Sequence, residues 1–199
     1  MTSEALARLE RILPRLDEDT ALMWRGLMLT KAVEQFLRDV QWGHLDYLLI
    51  DMPPGTGDVQ MGLARMLPST DLIVVTTPAL AAQKVAQRAA DMARRSFLAV
   101  IGVIENMSTH ICAACGHEEA IFGTGGADAM VRDFGVELLG RLPLDASIRQ
   151  QADSGNPTVA ADPDSDTAEA FRSAARRMAA ALAMKGKDYS AKFPKIVVE

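Results

Sequence analysis

Residues 46–58, Asp-Tyr-Leu-Leu-Ile-Asp-Met-Pro-Pro-Gly-Thr-Gly-Asp, decide the fold class that this sequence predicts. A continuous apolar run that ends in a carboxylate is typical of a strand buried on both faces of a parallel sheet. A Pro/Gly loop follows at once, and in open α/β sheets ligands bind at the carboxyl ends of the strands. The stretch therefore predicts a parallel sheet with a ligand site at the end of this strand.

Three further apolar runs resemble this strand, and helical patterns alternate with them. The runs are residues 72–77, 97–104 and, more weakly, 137–142. Apolar residues repeat with helical spacing over 20–40, 79–95, 126–134 and 168–182. Gly43 is expected to close the first helix, and Ser165 or Asp166 to cap the last one after a turn-rich connection. Alternation of strands and helices predicts an α/β fold with a mainly parallel sheet.

Length and composition limit the classes of function. The chain has 199 residues, 49% of them hydrophobic, which is enough for one well-packed domain. Its 21 basic and 26 acidic residues give a net charge of −5, which argues against a protein that neutralises nucleic-acid phosphates. No apolar run approaches the roughly 18 residues that span a bilayer, and the amino terminus lacks a leader pattern. We therefore expect a cytoplasmic protein that binds neither nucleic acid nor membrane.

The first candidate site follows the strand that ends at Asp51. A carboxylate in this place can hold Mg²⁺, often through water. Gly55 and Gly57 allow backbone N–H groups to approach a phosphate, because no Cβ is in the way. The same residue types are also compatible with Asp51 capping the next helix and with glycines that only form a tight turn. The residues alone leave both interpretations open.

A second candidate is Asn106, which lies where the run 97–104 ends. Its side-chain amide offers one acceptor and two donors, so it can bind the edge of a purine base. Asn is also common in turns, because it bonds its own backbone.

The third candidate site is the pair Cys112 and Cys115, the two cysteines of the chain. In a reducing compartment this spacing favours metal or redox chemistry over a structural disulfide. Two thiolates fill half of a four-coordinate site. His110 and His117, two cysteines of an identical subunit, or a partner protein can complete it. A redox pair needs a helix that begins at the first cysteine, and Gly116 argues against one.

Five motifs, taken in their order and spacing, resemble the Mrp/ApbC family of iron–sulfur cluster carrier proteins. This family belongs to the MinD-like branch of the P-loop ATPases. The similarity runs from about Asp17 to about Leu182. The motifs are residues 46–58, Glu105-Asn-Met-Ser108, Cys112-Ala-Ala-Cys115-Gly116, Ile121-Phe-Gly-Thr-Gly-Gly126 and Leu142-Pro-Leu-Asp145.

The resemblance implies a three-layer P-loop NTPase-like fold and a dimeric ATPase. A 4Fe–4S cluster would be bridged between Cys112 and Cys115 of two identical subunits and delivered to apo iron–sulfur proteins. Twofold symmetry would then supply the missing ligands, and thiolates suit such a cluster. The residues implied for ATP and Mg²⁺ are the catalytic carboxylates Asp51 and Asp58, the γ-phosphate-sensing loop of Pro54, Gly55, Thr56 and Gly57, and Asn106 for adenine.

One part of the family pattern has no counterpart in this sequence. The family carries a loop of the type Lys-Gly-Gly-x-Gly-Lys-Ser on its first strand, but no Gly-Lys-Ser or Gly-Lys-Thr occurs here. We therefore expect a truncated ATPase domain that binds ATP weakly, and ATP hydrolysis is implied by the resemblance alone. The strands ending at Asp51 and Thr77 would then pair directly or leave unpaired backbone groups, each costing about 1–3 kcal/mol if buried.

The expected organisation is a non-matching helix at 1–16, a partial ATPase domain at 17–183 and a basic tail at 184–199. The rival hypothesis is a MinD/ParA-like regulatory ATPase, or a degenerate fragment of one, whose cysteines bind Zn²⁺ or nothing.

Overall fold

The computed structural model describes residues 26–52, 57–112 and 114–185. They fall into two compact units. The helical unit comprises the described residues up to Thr70 together with 95–98, and the sheet unit comprises 71–94 and 99–185. The helix predicted at 1–16 and most of the tail predicted at 184–199 lie outside the described residues.

Twelve elements lie within the described residues. In chain order they are α1 Gly26–Asp39, α2 Asp58–Met66, β1 Asp71–Thr76, α3 Leu80–Arg95, β2 Ala99–Glu105, β3 His110–Ile111, β4 Glu118–Glu119, α4 Gly126–Phe134, β5 Glu137–Arg141, α5 Ala146–Asp153, α6 Thr158–Ala161 and α7 Asp166–Met184.

The helical unit is built on the packing of α1 against α2. Ala32 on α1 and Leu63 on α2 are buried. Gly62 allows the two helices to approach, because a Cβ there would lie 2.7 Å from Thr30 Cγ2. The predicted first helix is confirmed from Gly26 onward. Gly43 has a positive φ of 74° but lies four residues beyond Asp39, so it turns the chain without capping the helix.

The strand predicted at residues 46–51 does not form, so this prediction is wrong. The segment has no regular secondary structure, and its apolar side chains are exposed, Leu49 at 74%. A strand is stabilised by its hydrogen-bonded neighbours, and none of the described strands pairs with this segment. Its backbone groups therefore stay accessible to water, which avoids the cost of burying them unpaired.

The sheet unit contains three parallel strands in the order β1-β2-β5. They confirm three of the predicted runs. β2 is central, with Val103 opposite Val74 on one side and Leu138 on the other. The three strands end on one edge of the sheet, at Thr76, Glu105 and Arg141.

Helices cover both faces of this sheet, which confirms the predicted α/β class. α3 and α4 share one core with β1 and β2, and the buried residues of that core are Val74, Ala86, Ala90, Val103, Ala127 and Met130. α7 packs against β5 and β2. Gly140 makes this contact close, because a Cβ there would lie 2.9 Å from Ala174 Cβ.

The helix predictions in this unit are also confirmed. α4 has the predicted bounds, and α3 and α7 differ from theirs by one or two residues. Ser165 is the N-cap of α7, and its side chain accepts a hydrogen bond from Ala168 N at 3.2 Å. Of the helices in the described ranges, none combines the length and the hydrophobicity needed to cross a bilayer.

Candidate functional site

The cysteine pair lies in a small hairpin at the carboxyl edge of the sheet. After β2 the chain leaves the sheet, and β3 pairs with β4 in antiparallel register, with His110 opposite Glu119 and Ile111 opposite Glu118. Residues 112–117, which connect the two strands, contain Cys112 and Cys115. We call residues 110–119 the cysteine hairpin. The sequence did not reveal it, because strands of two residues leave no periodic pattern.

Backbone hydrogen bonds fasten the base of this hairpin to the chain that follows β5. Both the N–H and the hydroxyl of Ser108 donate to Leu142 O, at 2.9 and 3.0 Å. Leu144 N donates to Thr109 O at 2.7 Å. The ring nitrogen Nδ1 of His110 lies 3.0 Å from Leu144 O. The hairpin is thus anchored to the sheet.

The turn between the two cysteines is closed by its own backbone. Gly116 N donates to Cys112 O at 2.8 Å, and Cys112 N donates to His117 O at 2.9 Å. Gly116 has a φ of 70°, a left-handed conformation that favours glycine. Cys112 is half-buried, Cys115 is exposed, and both thiols are free. The turn therefore presents two reduced sulfur atoms from one short segment.

Hydrogen bonds to sulfur favour the thiolate form of Cys112. The backbone N–H groups of Ala114 and Cys115, and then the Cys115 thiol, lower the pKa of Cys112, and the charge of His110 adds a smaller effect. Burial opposes these effects but does not outweigh them. The two largest of these effects are backbone hydrogen bonds, so the stabilisation comes mainly from backbone dipoles. The thiolate is the form of cysteine that binds metals.

The hairpin does not complete a metal site by itself. Among the described residues, no group of three or more His, Cys, Asp or Glu side chains is arranged to hold a metal ion. His110 faces Leu144 O, and His117 is exposed. The structure thus does not assemble the proposed site of two cysteines and two histidines from one loop. No described helix begins at Cys112 either, so the arrangement expected of a redox pair does not occur.

Asn106 forms a turn directly after β2. Its backbone N–H donates to Thr76 O at 2.7 Å, and its Oδ1 accepts from Met107 N at 2.9 Å. Met107 has a positive φ of 54°. The turn interpretation of Asn106 therefore describes this structure, while its amide nitrogen donates to no residue that the structure describes.

The other candidate nucleotide residues lie in the helical unit. Asp51 is exposed, and Pro54, Gly55 and Thr56 lie outside the described residues. Gly57 is the N-cap of α2, with extended backbone and no side-chain cap, so Asp51 does not cap this helix. Asp58 is the first residue of α2. The structure thus brings the two cysteines together, but Asp51 and Asp58 belong to one unit and Asn106 to the other.

Sequence reasoning missed one charged group at this edge, the carboxylate of Glu105. Glu105 is 2% exposed. Its Oε2 accepts from Ala127 N at 2.8 Å, and its Oε1 accepts from Arg141 Nε at 3.1 Å. Arg141 also donates to Asp128 Oδ1 at 2.6 Å. The sequence signals this network only by a carboxylate, Glu105, at the end of one apolar run and an arginine, Arg141, near the end of another.

Arg141 is well suited to hold two carboxylates. Partial burial acts to lower the pKa of Arg141, but hydrogen bonds and charges from Asp128 and Glu105 outweigh it and raise the pKa above its usual value. The guanidinium therefore stays charged and can bind both acids through separate nitrogen atoms.

The parallel sheet covered by helices makes this an α/β protein, and comparison with solved structures identifies the fold as that of MinD-like P-loop NTPases. Two solved structures share it. A nucleotide-binding protein from Archaeoglobus fulgidus, solved with ADP, is 33% identical, with a TM-score of 0.61, over 73% of this chain and 58% of that one. The septum site-determining protein MinD of Pyrococcus horikoshii, solved with Mg-ADP, is 24% identical, with a TM-score of 0.59, over 84% and 64% of the two chains.

The family follows from the sequence comparison. The family model described as ParA, NUBPL iron-transfer P-loop NTPase, matches residues 12–179, so this chain belongs to that family. An iron-sulfur cluster carrier protein of Haemophilus influenzae is 46% identical over 171 residues, which cover 86% of this chain and 46% of the relative. The iron-sulfur cluster transfer protein NUBPL of Mus musculus is 42% identical over 78% of this chain and 49% of its own length. The chain spans about half the length of these curated relatives.

Proposed function

We propose that this chain carries an iron–sulfur cluster on Cys112 and Cys115 and delivers it to apo iron–sulfur proteins. The observation that carries the proposal is the cysteine hairpin. It holds two free thiols in one tight turn, and backbone N–H groups lower the pKa of Cys112. Hydrogen bonds to sulfur are also a means by which proteins tune such clusters. The family and the names of its relatives support the same function.

The number of ligands supports sharing of the cluster between two copies of the chain. Two thiolates leave a 4Fe–4S cluster half ligated, and no third ligand of the described residues joins Cys112 and Cys115. Two hairpins related by a twofold axis would supply four thiolates. The exposure of Cys115 at the tip of the turn suits a site that is completed from outside the chain. An exposed site also suits release of the cluster to a recipient.

We also propose a weak nucleotide site. Asp51 and Asp58 would act on Mg²⁺ and the phosphates, with the loop of Pro54, Gly55, Thr56 and Gly57. For Asn106, in the sheet unit, we propose separately that its amide N–H groups donate to adenine, because its oxygen already accepts from Met107 N. The fit is incomplete, since the sequence has no Gly-Lys-Ser or Gly-Lys-Thr loop to cradle the phosphates. We therefore expect calorimetry with Mg-ATP to show weak binding, and tight binding would contradict this part of the proposal.

Anaerobic reconstitution of the chain with iron and sulfide tests the cluster. We expect visible absorbance, iron and sulfide in equal amounts, and a dimer by analytical ultracentrifugation. Cys112→Ser and Cys115→Ser should each abolish these signals, because each removes a thiolate from the shared site. Ala114→Ser is the matched control, since it adds a hydroxyl in the same turn and keeps the N–H that supports Cys112.

The outcomes separate the alternatives. Equal cluster content in the wild type and in both cysteine variants would overturn the proposal. Zinc without sulfide in the purified protein would favour the regulatory ATPase. A His117→Ala variant should keep the cluster. Its loss in that variant would show that the hairpin supplies a histidine ligand.

A further inference from the structure

The chain leaves the sheet after β2, carries both cysteines and returns at α4. The side chain of Glu105, at the start of this excursion, bonds to the residue that follows its end. Glu105 is the last residue of β2, where the excursion begins. Its Oε2 accepts a hydrogen bond from Ala127 N at 2.8 Å, in the first turn of α4, where the excursion ends. The two residues are 22 positions apart in the sequence and are joined by this bond.

We infer that Glu105 is a positioning residue that clasps the base of the cysteine-bearing excursion, residues 106–126. We call the hydrogen bonds of Glu105 to Ala127 and Arg141 the Glu105 clasp. The effect that we infer on cluster retention rests on the proposed function. Its structural content, the order of residues 106–126, does not depend on a cluster.

The start of α4 shows why it needs a group from outside the helix. The N-cap of α4 is Gly125, in left-handed conformation, and it makes no side-chain cap hydrogen bond. The first N–H groups of a helix lack partners within the helix and carry partial positive charge. The carboxylate of Glu105 satisfies one of these N–H groups and complements that charge. Glu105 lies on β2 and thus supplies the capping hydrogen bond that the N-cap residue of α4 does not make.

The second carboxylate oxygen of Glu105 joins the start of the excursion to β5. Oε1 accepts from Arg141 Nε at 3.1 Å, at the end of β5, and Arg141 continues to Asp128 on α4. A backbone hydrogen bond also joins the ends of β2 and β5, because Leu142 N donates to Glu105 O at 2.8 Å. The side chain of Glu105 is 3% exposed, so its charge has little solvation to compete with these bonds. The clasp therefore joins β2, β5 and α4 at the root of the excursion.

The clasp acts on the cysteines through the hairpin base and not by contact with sulfur. The base bonds of Ser108 to Leu142 O and of Leu144 to Thr109 O begin three residues beyond Glu105. If the ends of the excursion separate, these bonds lose their fixed register. A cluster shared by two hairpins needs both hairpins in a fixed orientation, so the clasp would slow its loss. A charge-assisted hydrogen bond contributes about 1.5–3 kcal/mol, so its loss corresponds to at least about a tenfold change in the opening of the excursion.

Two variants of the 199-residue chain and a matched control test this inference. Glu105→Gln keeps the shape of the side chain, but its uncharged amide accepts less strongly and turns an N–H₂ group toward a donor. Glu105→Asp keeps the charge but is one methylene shorter. Glu137→Gln removes an exposed carboxylate of the same unit, outside the clasp.

The first readout is hydrogen exchange of the apo chain, resolved by peptide. In Glu105→Gln we expect amides of residues 106–126 to exchange about tenfold faster, the change that follows loss of a charge-assisted hydrogen bond. Amides of α7 should keep their wild-type rates, and Glu105→Asp should fall between Glu105→Gln and the wild type. The second readout is release of a reconstituted cluster to an iron chelator, which should accelerate by a similar factor of about ten if release requires the excursion to open.

Each result decides the inference. Exchange like that of Glu137→Gln, or exchange that rises equally in α7, would overturn the clasp, the latter because it indicates only general destabilisation. If Glu105→Gln does not fold, Arg141→Gln decides by the same criteria, because it removes one clasp bond through a residue whose side chain is 44% exposed. If the wild type loads no cluster, the proposed function fails while the exchange experiment still decides the clasp.

Discussion

Two apolar stretches of this chain look alike in sequence and differ in structure. Residues 46–51 and residues 71–76 are both short runs of large aliphatic side chains. The first has no regular secondary structure, with Leu49 74% exposed. The second is β1, hydrogen-bonded to β2 along its length, with Val74 4% exposed. Apolar composition marks a segment that can enter a sheet, but a neighbouring strand decides whether it does.

The physical reason is that strand formation is not local. A helix satisfies its backbone within its own segment, whereas each strand needs donors and acceptors from another part of the chain. β2 has a partner on both sides and forms the centre of the sheet. Segment 46–51 has no partner among the described strands, and the gain from burying its side chains would not offset unpaired backbone groups.

The largest effect that separates the two regions is expected from matched leucine truncations. Leu139→Ala in β5 removes a fully buried side chain and should lower the free energy of unfolding by about 3 kcal/mol. Leu49→Ala removes an exposed one and should change it by less than about 0.5 kcal/mol. Urea unfolding followed by circular dichroism measures both. A cost for Leu49→Ala close to that of Leu139→Ala would show that segment 46–51 is buried in solution.

The same contrast explains how much of the fold the sequence predicted. Helices α3, α4 and α7 were predicted within two residues, because helical periodicity and caps such as Ser165 are local signals. The three strands of the sheet were predicted because their apolar runs also find neighbours. The strand predicted at residues 46–51 was wrong, because an apolar run does not indicate whether another strand will lie beside it. The four-residue helix α6 gave too few repeats to detect.

The candidate site also has features that the sequence predicted and features that it did not. The Cys-x-x-Cys spacing predicted a pair of thiols in one turn, and Gly116 at positive φ provides that turn. The two hydrogen bonds that lower the pKa of Cys112 most come from backbone N–H groups, so no residue type could reveal them. Glu105 was missed because a carboxylate at a strand end is ordinary until its partners, Ala127 and Arg141, are known. Its contacts span 22 and 36 positions of sequence.

The second prediction compares two glycines that restrict substitution for different reasons. A Cβ on Gly126 would lie 2.8 Å from Pro78 Cα and 3.1 Å from Thr77 O, which are backbone atoms that cannot turn aside. Gly126→Ala should therefore cost about 2 kcal/mol through overpacking at the start of α4.

Gly43 has open space around it and a φ of 74°, so only its conformation resists a side chain. Gly43→Ala should cost about 1 kcal/mol. Urea unfolding of the two variants measures the difference. An equal or smaller cost at Gly126 would contradict the close packing of α4 against the end of β1.

The smallest expected effect concerns how helices begin in the two units. α2 begins after Gly57 without a side-chain cap, whereas the Asp145 carboxylate caps α5 by accepting from Ser147 N at 2.7 Å. The backbone N–H of Ser147, and then its hydroxyl, lower the pKa of Asp145, with a smaller contribution from the charge of His110. The charged form is thus favoured in the folded chain.

The sign of the pH effect follows from this lowered pKa. The stabilisation by Asp145 is complete above the pKa of the unfolded chain and is lost as pH falls through the lower folded value. Asp145→Asn should leave stability at neutral pH nearly unchanged, because Asn is an equally good cap. Between about pH 5 and pH 2 it should lose less stability than the wild type, by under about 1 kcal/mol, because Asp145 is exposed. Urea unfolding across this range measures the slope, with Asp91→Asn on α3 as a control that removes a carboxylate away from any helix terminus. A wild-type slope in Asp145→Asn would show that the cap of α5 does not depend on the charge of Asp145.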